Sequence, residues 1–293
     1  MIRIAAVGEA MIELTMQGSA AQVGVAGDTL NTAIYLKRCA QDVSVDYVTR
    51  LGDDPFSDQI ETFIAEQNIG TEALSRAAEK SPGLYAITTT PEGERSFTYW
   101  RSASAARGLF QTANGYDFSF LAAYDLVYLS GITVAILPHA VRLALLEWLN
   151  QNPVRLAYDS NYRPRLWENQ ETAQQVSTGF WERADICLPS IDDEMDLYNQ
   201  SETDVIARFK ALGTVGAIKR GAQGPISLGE EVNQTYEPAP KVVDTTAAGD
   251  SFNGGYLAAV LSGASQTDAL QAGHSCAAKV VQFRGAIISP DDL

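Results

Sequence analysis

Histidine is almost missing from this chain. Its 293 residues include only His139 and His274. A His-based zinc centre or a Ser-His-Asp triad therefore has little material. The three cysteines, Cys39, Cys187 and Cys276, are scattered with no CxxC pair. That pattern reads as buried free thiols in a reducing compartment, hence a cytoplasmic location. Basic charge is scarce: 21 Lys and Arg stand against 36 Asp and Glu, for a net charge of −15. A nucleic-acid partner needs a basic face, so it is excluded as an expectation. No apolar run approaches the roughly 18 residues that span a bilayer, so no membrane association is expected. The first 14 residues are apolar but interrupted by Glu9 and Glu13, and they read as a buried strand rather than a signal peptide. In so acidic a chain, arginines gathered near one pocket carry particular information, because anionic ligands need local cations.

What is present suits one large core. Hydrophobic residues make up 46% of the chain, ample for a domain of this length. From about residue 105 onward, apolar runs at 125–132, 154–161, 184–190 and 215–221 alternate with helical patterns at 138–151, 171–182, 192–199 and 202–212. Segments 2–9 and 45–52 fit the same strand set, with helices near 28–40 and 55–68. The alternation predicts an α/β fold: a doubly wound, mainly parallel sheet flanked by helices. A second texture is turn-rich. Residues 83–101 read as a hairpin turning at Pro91-Glu92-Gly93-Glu94, and residues 11–25 supply further strands. The chain is thus expected to be a single domain over 1–293, with insertions at about 11–25 and 83–103 forming a small antiparallel β lid. The lid would sit over the carboxyl ends of the main strands, where ligands bind in open α/β sheets.

The segment VVDTTAAGDSFNGGYLAAVL, residues 242–261, carries the chemistry. It reads as a strand end, a turn of small residues at Ala247-Ala248-Gly249, and a helix starting near Asp250. Small residues let backbone approach a ligand, and the first N–H groups of a helix point at an anion. Asp250 at that end would accept a proton from a hydroxyl attacking phosphorus. Taken alone, such an Asp is more often a plain N-cap. Elsewhere, Tyr99 and Arg101 share one face of a predicted strand, with Tyr85 on its partner strand. Arg163 and Arg165 leave another strand at its carboxyl end. Arginines and tyrosines converging in an acidic protein suggest an acceptor bearing a carboxylate, which Arg matches with paired donors. One of Arg163 and Arg165 would touch phosphates instead. Against this stand a cross-strand ion pair for Arg101 and a capping role for the other two.

DTTAAGDSF (244–252) resembles the DTxGAGD motif of the ribokinase-like (PfkB) carbohydrate kinase family, with Ala247 where the family commonly has Gly. Ala26-Gly27-Asp28-Thr29-Leu30-Asn31 is similar to its N-terminal glycine turn and helical Asn. Gly52-Asp53-Asp54-Pro55-Phe56, Gly131, and Lys219-Arg220-Gly221-Ala222-Gln223-Gly224 fit further family loops. The stretches PGLYAI (82–87), ERSFTYWRSASAA (94–106), NYRPRLW (161–167) and RGAII (284–288) are similar to the branch that phosphorylates 2-dehydro-3-deoxy-D-gluconate. The resemblance implies a ribokinase-like fold and transfer of the ATP γ-phosphate to that sugar acid's 6-hydroxyl. The alternatives are a neutral sugar such as fructose or ribose, or a sugar-binding member without catalysis. It implies Asp250 as base, with the Ala247, Ala248 and Gly249 backbone as anion hole. It places Gly27, Asp28, Asn31, Tyr85, Tyr99, Arg101, Ile132 and Arg163 around the sugar acid. It places Asn161, Arg163, Arg165, Ser190, Lys219, Gly221, Gly224, Gly249 and Ala278 around ATP. The family's magnesium motif falls by register on Ser190 and Asp193, with Glu194 adjacent, so Asp193 or Glu194 would hold Mg2+ through water. A K+ site near Asp244 and Gly285 and a homodimer or higher oligomer through the lid are also implied.

Overall fold

The computed structural model describes residues 1–89 and 95–293; the turn expected at Pro91 to Glu94 lies outside the described residues. A seven-stranded sheet forms the centre. Its order is Ile226–Leu228, Val215–Ile218, Ile186–Leu188, Arg155–Asp159, Leu126–Ser130, Arg3–Val7 and Ser44–Val48. All neighbours are parallel except the first pair, where the short edge strand Ile226–Leu228 runs antiparallel.

Alternating side chains along these strands feed two separate cores, as the two-residue strand period requires. Val127, Leu129, Leu156 and Tyr158 face helices His139–Gln151, Gln170–Arg183, Ile191–Tyr198 and Glu202–Leu212. Ile4, Leu126, Tyr128 and Ala157 face helices Asp28–Cys39, Pro55–Glu66, Ala248–Leu261 and Gln266–Val280. The sheet is therefore doubly wound. From its first strand the chain moves to one side, to Ser44–Val48, and later to the other, to Leu126–Ser130. That reversal opens a crevice at the strands' carboxyl ends.

The second sheet covers this crevice. Its order is Ala20–Ala26, Met11–Gln17, Gly83–Thr89 and Arg95–Trp100. Each pair of consecutive strands is an antiparallel hairpin, as the alternation predicts. The two hairpins join through a parallel pairing of Met11 to Thr15 with Gly83 to Ile87.

Some boundaries differ from the sequence reading for local reasons. The strand expected over 45–52 divides at Thr49. Arg50–Gly52 pairs with Ser75–Ala77 in a two-stranded sheet, and the Arg50 guanidinium donates to the Gly108 carbonyl at 2.7 Å. The run 125–132 stops being a strand at Ser130. Its hydroxyl accepts from the Thr133 N–H and starts helix Gly131–Ile136, which puts Ile132 on a first helical turn.

Helices Asp28–Cys39 and Ala248–Leu261 cross closely because Gly254 has no side chain. A methyl group there would lie 2.5 Å from Tyr35 Cβ and 2.9 Å from the Thr32 carbonyl oxygen. These two helices carry Asn31 and Asp250. Gly254→Ala should therefore lower stability by about 1–3 kcal/mol through overpacking, read as a falling Tm. Turnover should drop with it as the two helix starts move apart.

Candidate active site

The ends of four parallel strands and the two lid hairpins enclose a cleft of about 600 Å³. Helix Asp28–Cys39, which follows the first lid hairpin, supplies Asp28 and Asn31, with Gly27 just ahead of it. Leu126–Ser130 leads to Ile132, Arg155–Asp159 to Asn161 and Arg163, Ile186–Leu188 to Ser190 and Asp193, and Val215–Ile218 to Lys219 and Gly221. The lid contributes Tyr85, Tyr99 and Arg101. The turn before helix Ala248–Leu261 contributes Ala247 to Asp250. Seventeen positions singled out from sequence, spread over most of the chain, thus share one cavity.

Asp250 is not an N-cap. The cap is Ala247, held in the left-handed region at φ 60°, with no side-chain hydrogen bond closing the helix start. The Ala248 N–H turns back to the Thr245 carbonyl at 3.2 Å. The Gly249 and Asp250 N–H groups occupy the first turn, where no intrahelical acceptor exists. The positive end of the helix dipole lies behind them, which favours an anion at this turn.

Among the described residues the Asp250 side chain accepts one hydrogen bond, from Asn31 Nδ2 at 2.8 Å. Burial raises its pKa from the ordinary carboxylate range to about 8. Asp28 adds to the rise, Asn31 opposes it, Asp159 adds again and Lys219 opposes. Burial also raises Asp28, whose carboxylate accepts from Asn161 Nδ2 at 2.9 Å. Three acids thus share one poorly solvated floor, the condition that gives a carboxyl group a proton affinity useful near neutral pH.

Asp159 was not singled out from the sequence. It is 2% exposed, receives Lys219 Nζ at 2.6 Å and Asn253 Nδ2 at 3.0 Å, and fixes the lysine at the cleft between both halves of the site. Its signal was an acid closing the apolar strand RLAYD. Glu9, 1% exposed and paired with Arg101, was missed in the same way.

At the lid end, Tyr85 and Tyr99 pack with ring centroids 5.5 Å apart, as the shared strand face predicts. The Tyr85 hydroxyl donates to Glu13, and burial together with that carboxylate raises its pKa, so the phenol stays neutral. Arg101 is 9% exposed. Arg163 is looser: its side chain is 53% exposed and meets Asp193 at 3.4 Å.

A second, apolar cavity of about 240 Å³ adjoins the first and shares Lys219, Gly221, Ala248 and Gly249 with it. Ala222, Pro225, Phe252, Ala277, Ala278 and Val281 line it. Its narrow apolar walls suit a flat heterocycle. Gly224 lines neither cavity; it shapes the loop at φ 78° with Tyr236 packed against it.

Two further expectations need correction. Arg165 lies in the short turn Pro164–Leu166, exposed, and lines neither cavity. Glu194 is fully buried away from the cleft, where Arg208 meets it at 2.7 Å and burial raises its pKa to about 7. Helical geometry separates these adjacent acids, so only Asp193 faces the ligand side.

The donor set fits magnesium bound through retained water. Asp193 and Asp159 line the cleft with hard carboxylate oxygens, the type that ion prefers, and the Asp159 oxygens also meet Lys219 and Asn253. Burial and Asp159 raise the Asp193 pKa, a penalty that a cation would relieve. The Asp244 oxygens accept from the Thr246 N–H and hydroxyl and from the Gly285 N–H, bracing the loop ahead of the turn Ala247 to Asp250.

The sequence profile of the pfkB family carbohydrate kinase matches residues 1–293. A 2-dehydro-3-deoxygluconokinase of Dickeya dadantii is 42% identical over 300 residues, covering 97% of this chain and 96% of that protein. The crystal structure of a 2-dehydro-3-deoxygluconokinase from Thermotoga maritima superposes with a TM-score of 0.83 at 20% identity, covering 99% of this chain and 96% of that one. Aminoimidazole riboside kinase from Salmonella enterica, complexed with aminoimidazole riboside and an ATP analogue, gives 0.82 at 20% identity, covering 99% and 97%. The chain belongs to the pfkB family of carbohydrate kinases.

Proposed function

We propose that this kinase transfers the γ-phosphoryl group of ATP to the 6-hydroxyl of 2-dehydro-3-deoxy-D-gluconate. The observation that carries the reading is the layout of one cleft. Its floor holds a carboxyl group of raised pKa beside free helix N–H groups, and its far end holds Arg101 and two tyrosines. The 2-dehydro-3-deoxygluconokinases at 42% identity support the acceptor, and the kinases of this fold solved with ATP or its analogue support the donor.

In this mechanism the sugar acid lies between lid and sheet. Arg101 binds its carboxylate, and Tyr85 and Tyr99 pack on the carbon chain. Asn31 and Asp28 hold the hydroxyl end near Asp250. The adenine enters the apolar cavity beside Ala278, and Lys219 and Arg163 reach the phosphates. Magnesium, held through water by Asp193 with Asp159 nearby, would neutralise phosphate charge. Asp250 takes the proton of the attacking hydroxyl, and the Gly249 and Asp250 N–H groups stabilise the charge on the transferring group. The lid excludes water, so transfer to the sugar outcompetes hydrolysis. A potassium ion near Asp244 and Gly285 and a cytoplasmic location belong to the same reading. Among the described residues no helix is long and apolar enough to cross a membrane.

Asp250→Asn should lower kcat by about a thousandfold or more, the upper part of the general-base range. Near-normal turnover would remove the base assignment. In the wild type, kcat/KM should rise with pH through an apparent pKa near 8, because the ionised form of Asp250 is the active one. A profile flat from pH 6 to about 9 would contradict it.

The same shift makes a stability prediction. Asp250 binds its proton more tightly folded than unfolded, so its contribution to stability falls as pH rises from the ordinary carboxylate range toward 8. The Tm of Asp250→Asn relative to wild type should therefore increase between about pH 5 and 8; a constant difference would argue against the raised pKa.

Arg101→Ala should weaken sugar-acid binding by about 2–4 kcal/mol if it leaves the acceptor's carboxylate unpaired. Fructose and ribose, tested in parallel, should be far poorer acceptors than the sugar acid. Unchanged sugar-acid affinity, or a preference for either neutral sugar, would redirect the substrate assignment.

A further inference from the structure

We propose that Glu9 is a positioning residue: it aims the Arg101 guanidinium at the acceptor's carboxylate and ties the lid to the main sheet. The inference rests on reading Arg101 as the carboxylate's partner.

Glu9 lies just past the central strand Arg3–Val7, and Arg101 just past the lid strand Arg95–Trp100. The two side chains meet in an ion pair, with Glu9 1% and Arg101 9% exposed. A carboxylate so far from water persists only with a cation beside it. The contact therefore fixes where the base of the last lid strand sits on the scaffold.

Two glycines make room for this acid. A β-carbon at Gly27 would come within 2.2 Å of the Glu9 carbonyl oxygen, and one at Gly83 within 2.6 Å of Glu9 Oε1. Gly83 does not line the cleft, so its lack of a side chain is explained by Glu9 and not by ligand. Gly27, which the sequence reading assigned to the sugar, also packs on the Glu9 backbone.

The pair is electrostatic and unsaturated. Glu9 Oε1 and Arg101 Nε have no hydrogen-bond partner among the described residues, while Arg101 lines the cleft. One side of the guanidinium is anchored, and donors remain for a planar carboxylate.

The anchor has a specific purpose in this cleft. Asp28, Asp159 and Asp250 line the same cleft, and Arg101 acts on Asp28 electrostatically. An untethered guanidinium would be drawn onto those acids and occupy the acceptor's place. Arg163, more exposed, is held instead by the Tyr162 carbonyl at 2.6 Å and by Asp193 at 3.4 Å.

The test is a double-mutant cycle of Glu9→Gln, Arg101→Met and their combination, reading KM for the sugar acid, KM for ATP, kcat and Tm. Arg101→Met should raise the sugar-acid KM by about thirtyfold or more; if it does not, the reading of Arg101 fails, whatever Glu9 does. Given that rise, Glu9→Gln should raise the same KM by about tenfold with the ATP KM within about twofold, and the combined variant should be no worse than Arg101→Met alone. A Glu9→Gln enzyme of lowered Tm but unchanged sugar-acid KM, or two effects that multiply in the combined variant, would overturn the proposal. Should Glu9→Gln not fold, Glu9→Asp keeps the charge but withdraws it by one methylene. It should raise the sugar-acid KM by about fivefold with the ATP KM unchanged, and a wild-type value would overturn the proposal equally.

Discussion

Three carboxylates, Asp28, Asp159 and Asp250, share one poorly solvated floor, and the architecture serves to keep them there. Charges of one sign do not gather in low dielectric without support. Asn31, Asn161, Asn253 and Lys219 supply that support, each from a different segment. The sheet brings these segments together at one end, and the close crossing at Gly254 sets the spacing between the helices that carry Asn31 and Asp250. The resulting penalty on ionisation is what raises the proton affinity of Asp250 above that of a surface acid.

The rest of the site follows from managing charge in a protein of net charge −15. Both ligands of the proposed reaction are anions, so each cation has a defined place. Lys219 is held by Asp159 between the two cavities, Arg163 stands near the phosphate path, and Arg101 is anchored from behind by Glu9. The apolar slot next door adds area for a base without adding charge. The two halves meet at the turn Ala247 to Asp250, where the amides proposed to bind the phosphoryl group and the proposed base belong to the same first helical turn.

The fold was legible because its strands are buried on both faces, and their continuous apolar runs cannot be mistaken for surface. Boundaries were less clear where a side chain overrides the pattern, as Arg50 does beyond Thr49 and Ser130 does by starting a helix. Within the site, residues in loops after strands, such as Asn161 and Lys219, stood out because polar groups there have few structural duties. Asp159 and Glu9 did not stand out: each looks like the polar end of an apolar run, and only the sheet shows what lies opposite. Asp193 and Glu194 could not be separated by sequence because their difference is rotational. One helix step turns the first to the cleft and the second to Arg208. Arg165 was misplaced for the same reason, by the short turn after Pro164.

The most direct measurement is a structure of the protein with the sugar acid and a non-hydrolysable ATP analogue bound. The account predicts the 6-hydroxyl oxygen within about 3 Å of an Asp250 carboxylate oxygen, with the terminal phosphate against the Gly249 and Asp250 amides. A bound sugar acid whose hydroxyl faces away from Asp250, or phosphates that bypass those amides, would contradict it.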